Sequence, residues 1–520
     1  MVKATKSHLL FAVAGVFALA AVGCVSEDAT PAAPTRDASF VGYSSPDTKQ
    51  TTCGNCHVDV QAEWAQTKHS SAWADLQASG NADASCNKCH TTNGLTNGVG
   101  DSTGFFTVSA TAQRFYQDVQ CESCHGPGAA HISAPGESQP LSTMLVDNTY
   151  NDGCAACHNS THHPFAEQLA VSRHGRMPNW EGPTNTGASC QVNCHSGFGA
   201  MGVYATRAPF RDGQKTAVYT DTAVGLMCSV CHEPHNAVGN PAQLRLAGLS
   251  TTDTAQHVCG KCHNRSPVAT ASSWRSSRGA HSAQFASLQG YAGWVPASFG
   301  NIKGPARHGT MEGSCATCHM NNAPVNTAAG AFAVQNVGHT FEVIPCLNAA
   351  SVGTGGIDTS AAGCTEEQRD FSACGTSSCH GSQESARLAM DRTQSEIRSY
   401  VSLLWIDADG DQTIDALPVD SGWIPKLLQH DATRAAGTKR LATSGPDTLE
   451  TVAKGARFNL LTFGHPAGHA DGSWGVHNPG YIRAVMANTV NLMRTTYATS
   501  DTLAGVPPAV EAMLARAVRR

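Results

Sequence analysis

The feature of this 520-residue chain that most constrains its fold is a short motif of two nearby cysteines followed at once by a histidine. The motif occurs nine times and uses eighteen of the 21 cysteines. At this Cys and His content, a given cysteine would begin such a motif by chance in roughly two cases in a thousand, so the repetition is not accidental. Seven copies are Cys-x-x-Cys-His and two are longer; numbered as motifs 1 to 9 in chain order, they are Cys53/Cys56/His57, Cys86/Cys89/His90, Cys121/Cys124/His125, Cys154/Cys157/His158, Cys190/Cys194/His195, Cys228/Cys231/His232, Cys259/Cys262/His263, Cys315/Cys318/His319 and Cys374/Cys379/His380.

The spacing of the motif suits covalent attachment of haem. Two thiols a few residues apart can add to the two vinyl groups of one haem, and the adjoining histidine then ligates the iron. Zinc sites and structural disulfides also use paired cysteines, but neither requires a histidine at the next position in every copy. The motifs therefore predict about nine c-type haems, with the two longer motifs leaving more room for those alternatives.

Histidines outside the motifs are numerous enough to ligate the second face of every iron. Apart from the motif histidines and His8, fourteen of the 24 histidines remain, and for each the alternative is an ordinary core or surface histidine. His131 and His235 follow a motif too closely to reach the other face of the same haem, so we expect each to ligate a neighbouring one. The nine favoured ligands are His69, His131, His174, His235, His257, His281, His308, His339 and His477, and the reserves are His162, His163, His430, His465 and His469.

The N-terminal residues predict export. Lys3 and Lys6 precede an apolar run over residues 9–22 that is too short for a stable transmembrane anchor. The run ends at Gly23-Cys24, and a small residue followed by Cys resembles a bacterial lipobox, with ordinary cleavage nearby as the alternative. We expect a signal peptide over 1–23, a lipid anchor at Cys24 and a flexible tether over 24–50. Because Val25 is not Asp, the outer membrane is favoured, with the protein facing the periplasm or the cell exterior.

Composition agrees with a core that is largely cofactor. Aromatic residues make up only 6% of the chain, so we expect haem to replace side chains as the filling of a multihaem domain over residues 51–382. The predicted fold class is mainly α with extensive coil, and residues 383–520 form a C-terminal helical region. A formal charge of −6 argues against nucleic-acid binding. The expected partners are redox proteins that serve as electron donor and acceptor, and self-association is left open.

Two cysteines lie outside the motifs and the lipobox. Cys346 and Cys364 flank a loop rich in Gly, Ala, Ser and Thr, and in an exported protein we expect a disulfide between them. The alternative is that Cys364 attaches the last haem together with Cys379, over a very long spacing. Cys374 would then pair with Cys346.

Several segments resemble a known family of cytochromes. CGNCHVDVQAEW followed by KHSSAW, CESCHGPGAAH, SCATCHM followed by VGHTF, and GVHNPGYIRAVM are similar to segments of the multihaem c-type cytochromes that include hydroxylamine oxidoreductase, octahaem tetrathionate reductase and pentahaem nitrite reductase. The resemblance runs from about Cys53 to Tyr497. It implies haems stacked alternately parallel and perpendicular, closed by a bundle of long C-terminal helices. The Cys-x-x-Cys-Lys attachment site of the pentahaem nitrite reductases is absent, because every motif here ends in His.

The C-terminal third carries helical patterns independently of that resemblance. Apolar residues recur at helical spacing over Ser382–Trp405, Asp447–Thr462 and Pro479–Ala498. Between the first two lies an acidic loop with oxygen ligands at alternating positions, which resembles a calcium-binding loop but lacks its usual glycine at Gln412 and its final Glu. The alternative is a solvated acidic turn. The predicted calcium ligands are Asp407, Asp409, Asp411 and Asp415.

These features favour electron transfer through a chain of haems, in respiratory or extracellular electron transfer at a membrane. One alternative is an oxidoreductase that acts on nitrite, hydroxylamine, tetrathionate or a similar small compound at one haem with an open iron face. The surplus of candidate ligands argues against such an opening. A second alternative is a subunit of a cytochrome filament, which a lipid anchor fits less well.

Overall fold

The computed structural model of the chain describes residues 35–140, 142, 153–159, 164–175, 194–195, 197, 200–201, 225–246, 256–274, 279–324, 335–346, 365–411, 414–432, 450–464, 470–497, 508, 512 and 515. The described chain is mainly helical, with extensive coil between short helices, as the sequence predicts. Strands are confined to two small antiparallel pairs, β1 (Tyr43–Ser45) with β2 (Gln50–Thr51) and β3 (Ala323–Pro324) with β4 (Gln335–Asn336).

Short helices dominate the first three hundred or so residues because Gly, Pro and the haem motifs interrupt the chain every few residues. The α-helices of this part are α1 (Val58–Trp64), α2 (Ala72–Ala78), α3 (Asn87–His90), α4 (Cys121–His125), α5 (Ala129–Ser133), α6 (Phe165–Val171), α7 (Cys228–Cys231), α8 (Gln284–Gln289) and α9 (Cys315–His319). Single 3-10 turns fill much of the remainder, at Pro46–Thr48, Cys53–Asn55, Lys68–Ser71, Ala84–Cys86, Leu95–Asn97, Gly104–Phe106, Gln113–Tyr116, Gly153–Ala156, Pro241–Gln243, Ala271–Trp274, Ala297–Phe299, Arg307–Thr310 and Glu366–Gln368.

Four longer helices form the C-terminal region: α10 (Gln383–Leu404), α11 (Trp423–Ala432), α12 (Val452–Phe463) and α13 (Pro479–Tyr497). Ser382 and Thr451 begin α10 and α12, because each side-chain oxygen accepts a hydrogen bond from a backbone N–H of the first turn. The bounds of α10 and α13 agree with the sequence pattern to within one residue. The start of α12 lies five residues later than predicted, at Val452.

The C-terminal helices enclose the main side-chain core. α13 packs on both α10 and α12, and α12 is buried on nearly every face, including Lys454 and Arg457. Gly455 lets the helix approach Trp294 so closely that an added Cβ would lie 2.2 Å from the indole ring. The Asn459 side chain accepts from the Trp294 backbone N–H at 2.6 Å and donates to the Trp294 carbonyl at 2.9 Å. These contacts fix the bundle against the segment that carries motifs 7 and 8.

The N-terminal region is held instead by buried carboxylates. Glu122 lies within motif 3 and accepts hydrogen bonds from the backbone N–H groups of Val41, Gly42 and Gly128 at 2.7 to 3.0 Å. Asp118 accepts from the Tyr43 hydroxyl at 2.8 Å. A buried acceptor with several donors rigidifies the segments that supply them, so residues 41–43 are tied to the start of motif 3.

No helix among the described residues is long and apolar enough to cross a membrane. The predicted signal peptide over 1–23, Cys24 and most of the tether lie outside the described residues.

Candidate functional site

The structure brings each of eight motif histidines opposite a histidine from elsewhere in the chain. The ring centres of each pair lie 5.9 to 6.4 Å apart. No pair joins neighbours in sequence, so long-range folding creates all of them. Among the described residues the pairs are His57 with His131, His125 with His235, His158 with His69, His195 with His281, His232 with His339, His263 with His174, His319 with His477, and His380 with His308.

This separation fits one iron ion between the two rings. An imidazole nitrogen binds a metal at about 2 Å and the ring centre lies about 1.2 Å farther away, so two axial imidazoles have centres roughly 6.4 Å apart. Directly stacked rings would lie closer, at about 4.5 Å. Each pair also contains the histidine of a haem-attachment motif, so the residues present suit a haem with two histidine ligands.

The motifs themselves have the local shape that attachment requires. In motifs 1, 4, 6 and 7 the histidine N–H donates to the carbonyl of the first cysteine at 2.9 to 3.0 Å, which closes one helical turn and gathers both thiols and the imidazole. Motif 9 has two additional residues, yet the His380 N–H donates to the Cys374 carbonyl at 3.2 Å. Despite the longer spacing, the first cysteine and the histidine of motif 9 are therefore joined by the same hydrogen bond as in the shorter motifs.

Cys194 of motif 5 departs from the regular geometry of the shorter motifs. The structure places Cys194 and His195 in a π-helical turn, whereas motifs 3 and 8 lie in the α-helices α4 and α9. A π turn holds one residue more than an α turn, and motif 5 has one residue more between its cysteines, so the wider turn accommodates the insertion. The other predicted attachment point, Cys190, lies outside the described residues. Attachment of a haem through both Cys190 and Cys194 therefore stays a prediction.

Cys262 of motif 7 also differs from the role predicted for it. The sequence predicts haem attachment alone, but the side chain of Cys262 packs with Cys231 of motif 6 against a small apolar cluster, formed by Ala200, Met201, Met227 and Val230. The Cys262 backbone N–H donates to the Cys259 carbonyl at 3.2 Å, within a hydrogen-bonded turn and not an α-helix. Cys262 is thus a packing residue between motifs 6 and 7 as well as a candidate attachment point, a role that its motif did not indicate.

Hydrogen bonds at Nδ1 orient many of the histidine rings. Backbone carbonyls accept from the Nδ1 atoms of His131 (2.5 Å), His232 (2.7 Å), His308 (2.9 Å), His319 (3.0 Å) and His339 (3.1 Å). A histidine that donates from Nδ1 presents its other nitrogen, Nε2, to a metal. The tautomer needed for iron ligation is thus set by the fold.

Two candidate ligands donate to carboxylates instead. The Nδ1 of His477 lies 2.7 Å from Asp471, whose side chain has no exposed surface, and that of His235 lies 3.2 Å from Glu233, whose side chain is 7% exposed. Burial lowers the pKa of His477, but the Asp471 charge and hydrogen bond outweigh it and raise that pKa. Where no carboxylate is present burial dominates, and it lowers the pKa of His174 to about 3 and that of His339 to about 4.

His257 occupies a different place from the one predicted. Its ring contacts Phe285 at 5.0 Å, and its Nδ1 accepts hydrogen bonds from the backbone N–H groups of Cys259 and Gly260 at 3.2 and 3.0 Å. The described structure therefore gives His257 the position of a cap on motif 7, rather than a place opposite a motif histidine.

His90 of motif 2 differs from the other motif histidines. Its Nδ1 donates to the Ala72 carbonyl at 3.0 Å, as expected of an iron ligand. Within the described part of the chain, no second imidazole ring faces it.

Some predicted site residues lie outside the described residues. These are Cys190, His162, His163, His465, His469 and the side chain of His430. Cys364 also lies outside them. Cys346 is disulfide-bonded, whereas Cys374 and Cys379 are free thiols. The alternative in which Cys374 pairs with Cys346 is therefore wrong, because Cys374 remains available for haem together with Cys379.

Cysteines of different motifs meet in space. Side-chain hydrogen bonds join Cys53 to Cys121, Cys89 to Cys157, Cys154 to Cys228, Cys259 to Cys315, and Cys318 to Cys374. In the first of these, the hydrogen bond from Cys53 lowers the pKa of Cys121 to about 7. Each contact brings two haem-attachment points together.

The acidic loop gathers carboxylates as the sequence predicts, with one addition. Ligand oxygens of Asp407, Asp409 and Asp420 lie within 4.8 Å of one another, as do those of Asp409, Asp411 and Asp415. Asp420 was not predicted because it follows the loop. It is buried and accepts from the Trp405 indole N–H at 2.7 Å and the backbone N–H groups of Ala408 and Asp415.

Comparison with known proteins supports the haem interpretation for the first part of the chain. Residues 52–126 match the family model described as cytochrome c554 and c-prime. No curated protein and no solved structure matches the chain. The matched segment contains motifs 1 to 3, and it is similar to a family of multihaem c-type cytochromes.

Proposed function

We propose that the chain is an electron conduit that carries nine covalently bound c-type haems, one at each motif. The observation that carries the proposal is the set of eight imidazole pairs with ring centres 5.9 to 6.4 Å apart. An iron with histidine on both faces has no position for a substrate. It can only gain and lose electrons, and the protein's role is to fix spacing, orientation and potential.

The contacts between motifs support a continuous route. Hydrogen-bonded cysteines link motifs 1 and 3, 4 and 6, 7 and 8, and 8 and 9. The thiol of Cys124 in motif 3 is close enough to raise the pKa of Cys154 in motif 4 by charge repulsion. In the same way, Cys231 of motif 6 raises the pKa of Cys259 of motif 7. Motif 2 joins motif 4 through Cys89 and Cys157, which makes it a side branch. Haems attached at these cysteines would follow one another along the path 1, 3, 4, 6, 7, 8, 9.

The ends of this path are its most accessible points. Cys56 and His57 of motif 1 are exposed, and so are Cys379 and His380 of motif 9. Among the histidines and cysteines of motifs 3, 4, 6, 7 and 8, His158 of motif 4 is exposed and the others are only partly exposed. Electron donor and acceptor proteins would therefore meet the chain at motifs 1 and 9.

The first test combines a haem count with spin-state measurement. Pyridine haemochrome analysis of the purified protein should give nine haems per chain, and low-temperature EPR should show at least eight as low-spin. His131→Ala should convert one haem, that of His57, from low-spin to high-spin.

His257→Asn is the matched control. Asn can accept the same backbone hydrogen bonds at the cap of motif 7, and His257 faces no motif histidine, so the number of low-spin haems should stay constant. A haem content far below nine, or no spin change in His131→Ala, would contradict the proposal.

A second candidate function follows from His90. The described structure places no second imidazole opposite this ring, and an iron with one open face can bind and transform a small molecule. Under this second hypothesis, the haem at motif 2 would bind and transform a small nitrogen or sulfur compound, and it would receive its electrons from the haem at motif 4. A high-spin EPR signal of one haem per chain that shifts with nitrite or hydroxylamine, and is lost in His90→Ala, would favour the enzyme.

Two further parts of the proposal rest on sequence. The first is a lipid anchor at Cys24 on the outer membrane; Cys24→Ala should release the protein from membranes and abolish labelling by radioactive palmitate.

The second is a calcium ion at the acidic loop, to which the structure adds Asp420 as a neighbouring carboxylate. Metal analysis after dialysis should find one calcium per chain, absent in an Asp409→Asn, Asp411→Asn double variant.

A further inference from the structure

Asp471 is a buried carboxylate at the back of a candidate iron ligand. It accepts hydrogen bonds from the Nδ1 of His477 at 2.7 Å and from the Ser473 backbone N–H at 3.2 Å, and a third from the Ser473 hydroxyl. Its side chain has no exposed surface. Three donors converge on this one group, so the charge of Asp471 is stabilised inside the protein and directed at His477.

The environment of His477 is distinctive among the candidate ligands. His131, His232, His308, His319 and His339 all donate from Nδ1 to backbone carbonyls. A carbonyl carries only a partial charge, whereas a carboxylate carries a full one. The comparable pair of Glu233 and His235 is longer, at 3.2 Å, and less buried.

The same loop also touches the next site. The Val476 carbonyl, one residue before His477, accepts from the Nδ1 of His308 at 2.9 Å. His308 faces His380 of motif 9 and His477 faces His319 of motif 8. Residues 471–477, which we call the Asp471 loop, therefore contact ligands of two successive sites.

We propose that Asp471 is a positioning residue that makes the motif 8 haem the lowest-potential haem on the path. A full negative charge on the distal imidazole strengthens its donation to iron and stabilises the ferric form over the ferrous form. Burial removes water that would screen this charge. The inference rests on the proposed haem at motif 8. Because that haem would have the lowest reduction potential, electron transfer to it from the motif 7 haem would be energetically unfavourable, and transfer onward to the exposed motif 9 would be favourable.

The test is a redox titration of the complete protein followed by visible absorption and EPR. Asp471→Asn keeps an oxygen that can accept from Nδ1 but removes the charge. One of the nine one-electron components should move upward, with the ferric-to-ferrous ratio at fixed electrode potential falling about tenfold, equal to about 59 mV. Its EPR signal should change in g-values while staying low-spin. His477→Met identifies the component, since thioether ligation at the same iron raises its potential.

Two control variants separate electrostatics from structural damage. Asp118→Asn removes another buried carboxylate, one that contacts Tyr43, Trp73 and Lys49 and no candidate iron ligand, and should leave all components unmoved. Glu233→Gln should shift the motif 3 component upward by less than Asp471→Asn shifts its own. Asp471→Glu keeps the negative charge, so the potential of the motif 8 component should move upward by less than in Asp471→Asn.

Three outcomes would overturn the inference while leaving the proposed function intact. They are nine low-spin haems in Asp471→Asn with every potential unchanged, a shift spread equally over many haems, or an equal shift in Asp118→Asn. Absence of a low-spin haem at motif 8 in the unaltered protein would instead contradict the proposed function itself.

Discussion

The C-terminal and N-terminal parts of the molecule differ in how much of their core is made of apolar side chains. In the C-terminal part, 26 buried side chains from residues 274–299 and helices α10 to α13 form one continuous apolar cluster. In the N-terminal part, over residues 37–133, the corresponding cluster contains Phe40, Phe105 and Tyr116, with Trp73, Val108 and Phe115 packed beside it. Buried carboxylates tie the remaining N-terminal segments together.

The difference shows where cofactor must replace side chains. The few buried apolar side chains of residues 37–133, of which five are aromatic (Phe40, Tyr43, Trp64, Phe105 and Tyr116), cannot offset the conformational entropy of about a hundred ordered residues. The N-terminal region therefore needs its proposed haems to fold. The C-terminal helices have an apolar core of their own. They offer motifs 7 to 9 a surface that is already formed.

The largest expected effect comes from withholding haem. In a chain produced without haem attachment, we expect residues 37–133 to lose all amide protection, whereas α10, α12 and α13 keep most of theirs. Hydrogen exchange read by mass spectrometry, peptide by peptide, measures both regions in one sample. Equal protection of the two regions in the haem-free chain would contradict the claim that only the N-terminal region needs haem to fold.

Removing the charge of Glu122 should affect only the N-terminal region. In Glu122→Gln an amide replaces the carboxylate that accepts from Val41, Gly42 and Gly128, and its NH₂ group can only oppose those donors. We expect a loss of about 1.5–3 kcal/mol, because hydrogen bonds to a buried charge are lost. The readout is faster hydrogen exchange over residues 40–52 in the haem-loaded protein.

The exposed Glu384 provides the control for that substitution. Its pair with Arg387 lies on the surface of α10, where water screens the charges, so Glu384→Gln should leave the stability essentially unchanged. A comparable loss in both variants would show that burial of Glu122 is not what matters.

Overpacking should act on the C-terminal core. Gly455→Ala places a Cβ within 2.2 Å of the buried Trp294 ring, so we expect a loss of about 1–3 kcal/mol, seen as a lower thermal midpoint with local exchange over α12. Gly480, at the start of α13, has nothing within 4 Å of an added Cβ. Gly480→Ala should therefore be neutral or stabilising by up to about 1 kcal/mol.

The smallest effect is a dependence on acidic pH at the N-terminal edge. Burial raises the pKa of Asp37, but hydrogen bonds from Thr107, Phe40 and Ser39 outweigh it and lower the pKa to about 2. The stabilisation is therefore complete above the unfolded value near 3.8 and is lost as pH falls through about 2. The difference in thermal midpoint between the unaltered protein and Asp37→Asn should shrink over that interval, and a difference that persists at pH 2 would contradict the assignment.

The sequence could predict the attachment points because covalent chemistry demands contiguous residues. It also predicted α10 and α13, since their apolar residues repeat at helical spacing. His131 and His235 stand face to face with imidazoles of other motifs, as their short spacing indicated. In each case the signal lies within a few residues.

Pairings over long distances were beyond local reasoning. His339 follows motif 8 but faces His232 of motif 6, and His308 precedes motif 8 but faces His380 of motif 9. Asp471 carried no recognisable pattern, because its importance comes from partners that only the folded chain brings together.

Two residues with a recognisable pattern still take places that the pattern did not indicate. His257 had the right residue type and a plausible position, but its two backbone donors, a local feature with no sequence signature, give it a different place. Cys262 belongs to a strict motif, yet its packing beside Cys231 depends on how motifs 6 and 7 come together. A motif specifies its chemistry, whereas the neighbours of its side chains follow from the fold.

The histidine pairs also have a topological consequence. Every interval that a pair closes, from 57–131 through 69–158 and 125–235 to 319–477, overlaps the next one along the chain. If the proposed haem iron joins each pair, the polypeptide would become a set of interlocked loops, and each crosslink would restrict the conformations available to the unfolded chain. A segment that contains one histidine of such a pair could then not be cut away as an independent module, because the iron would lose a ligand supplied from elsewhere in the chain.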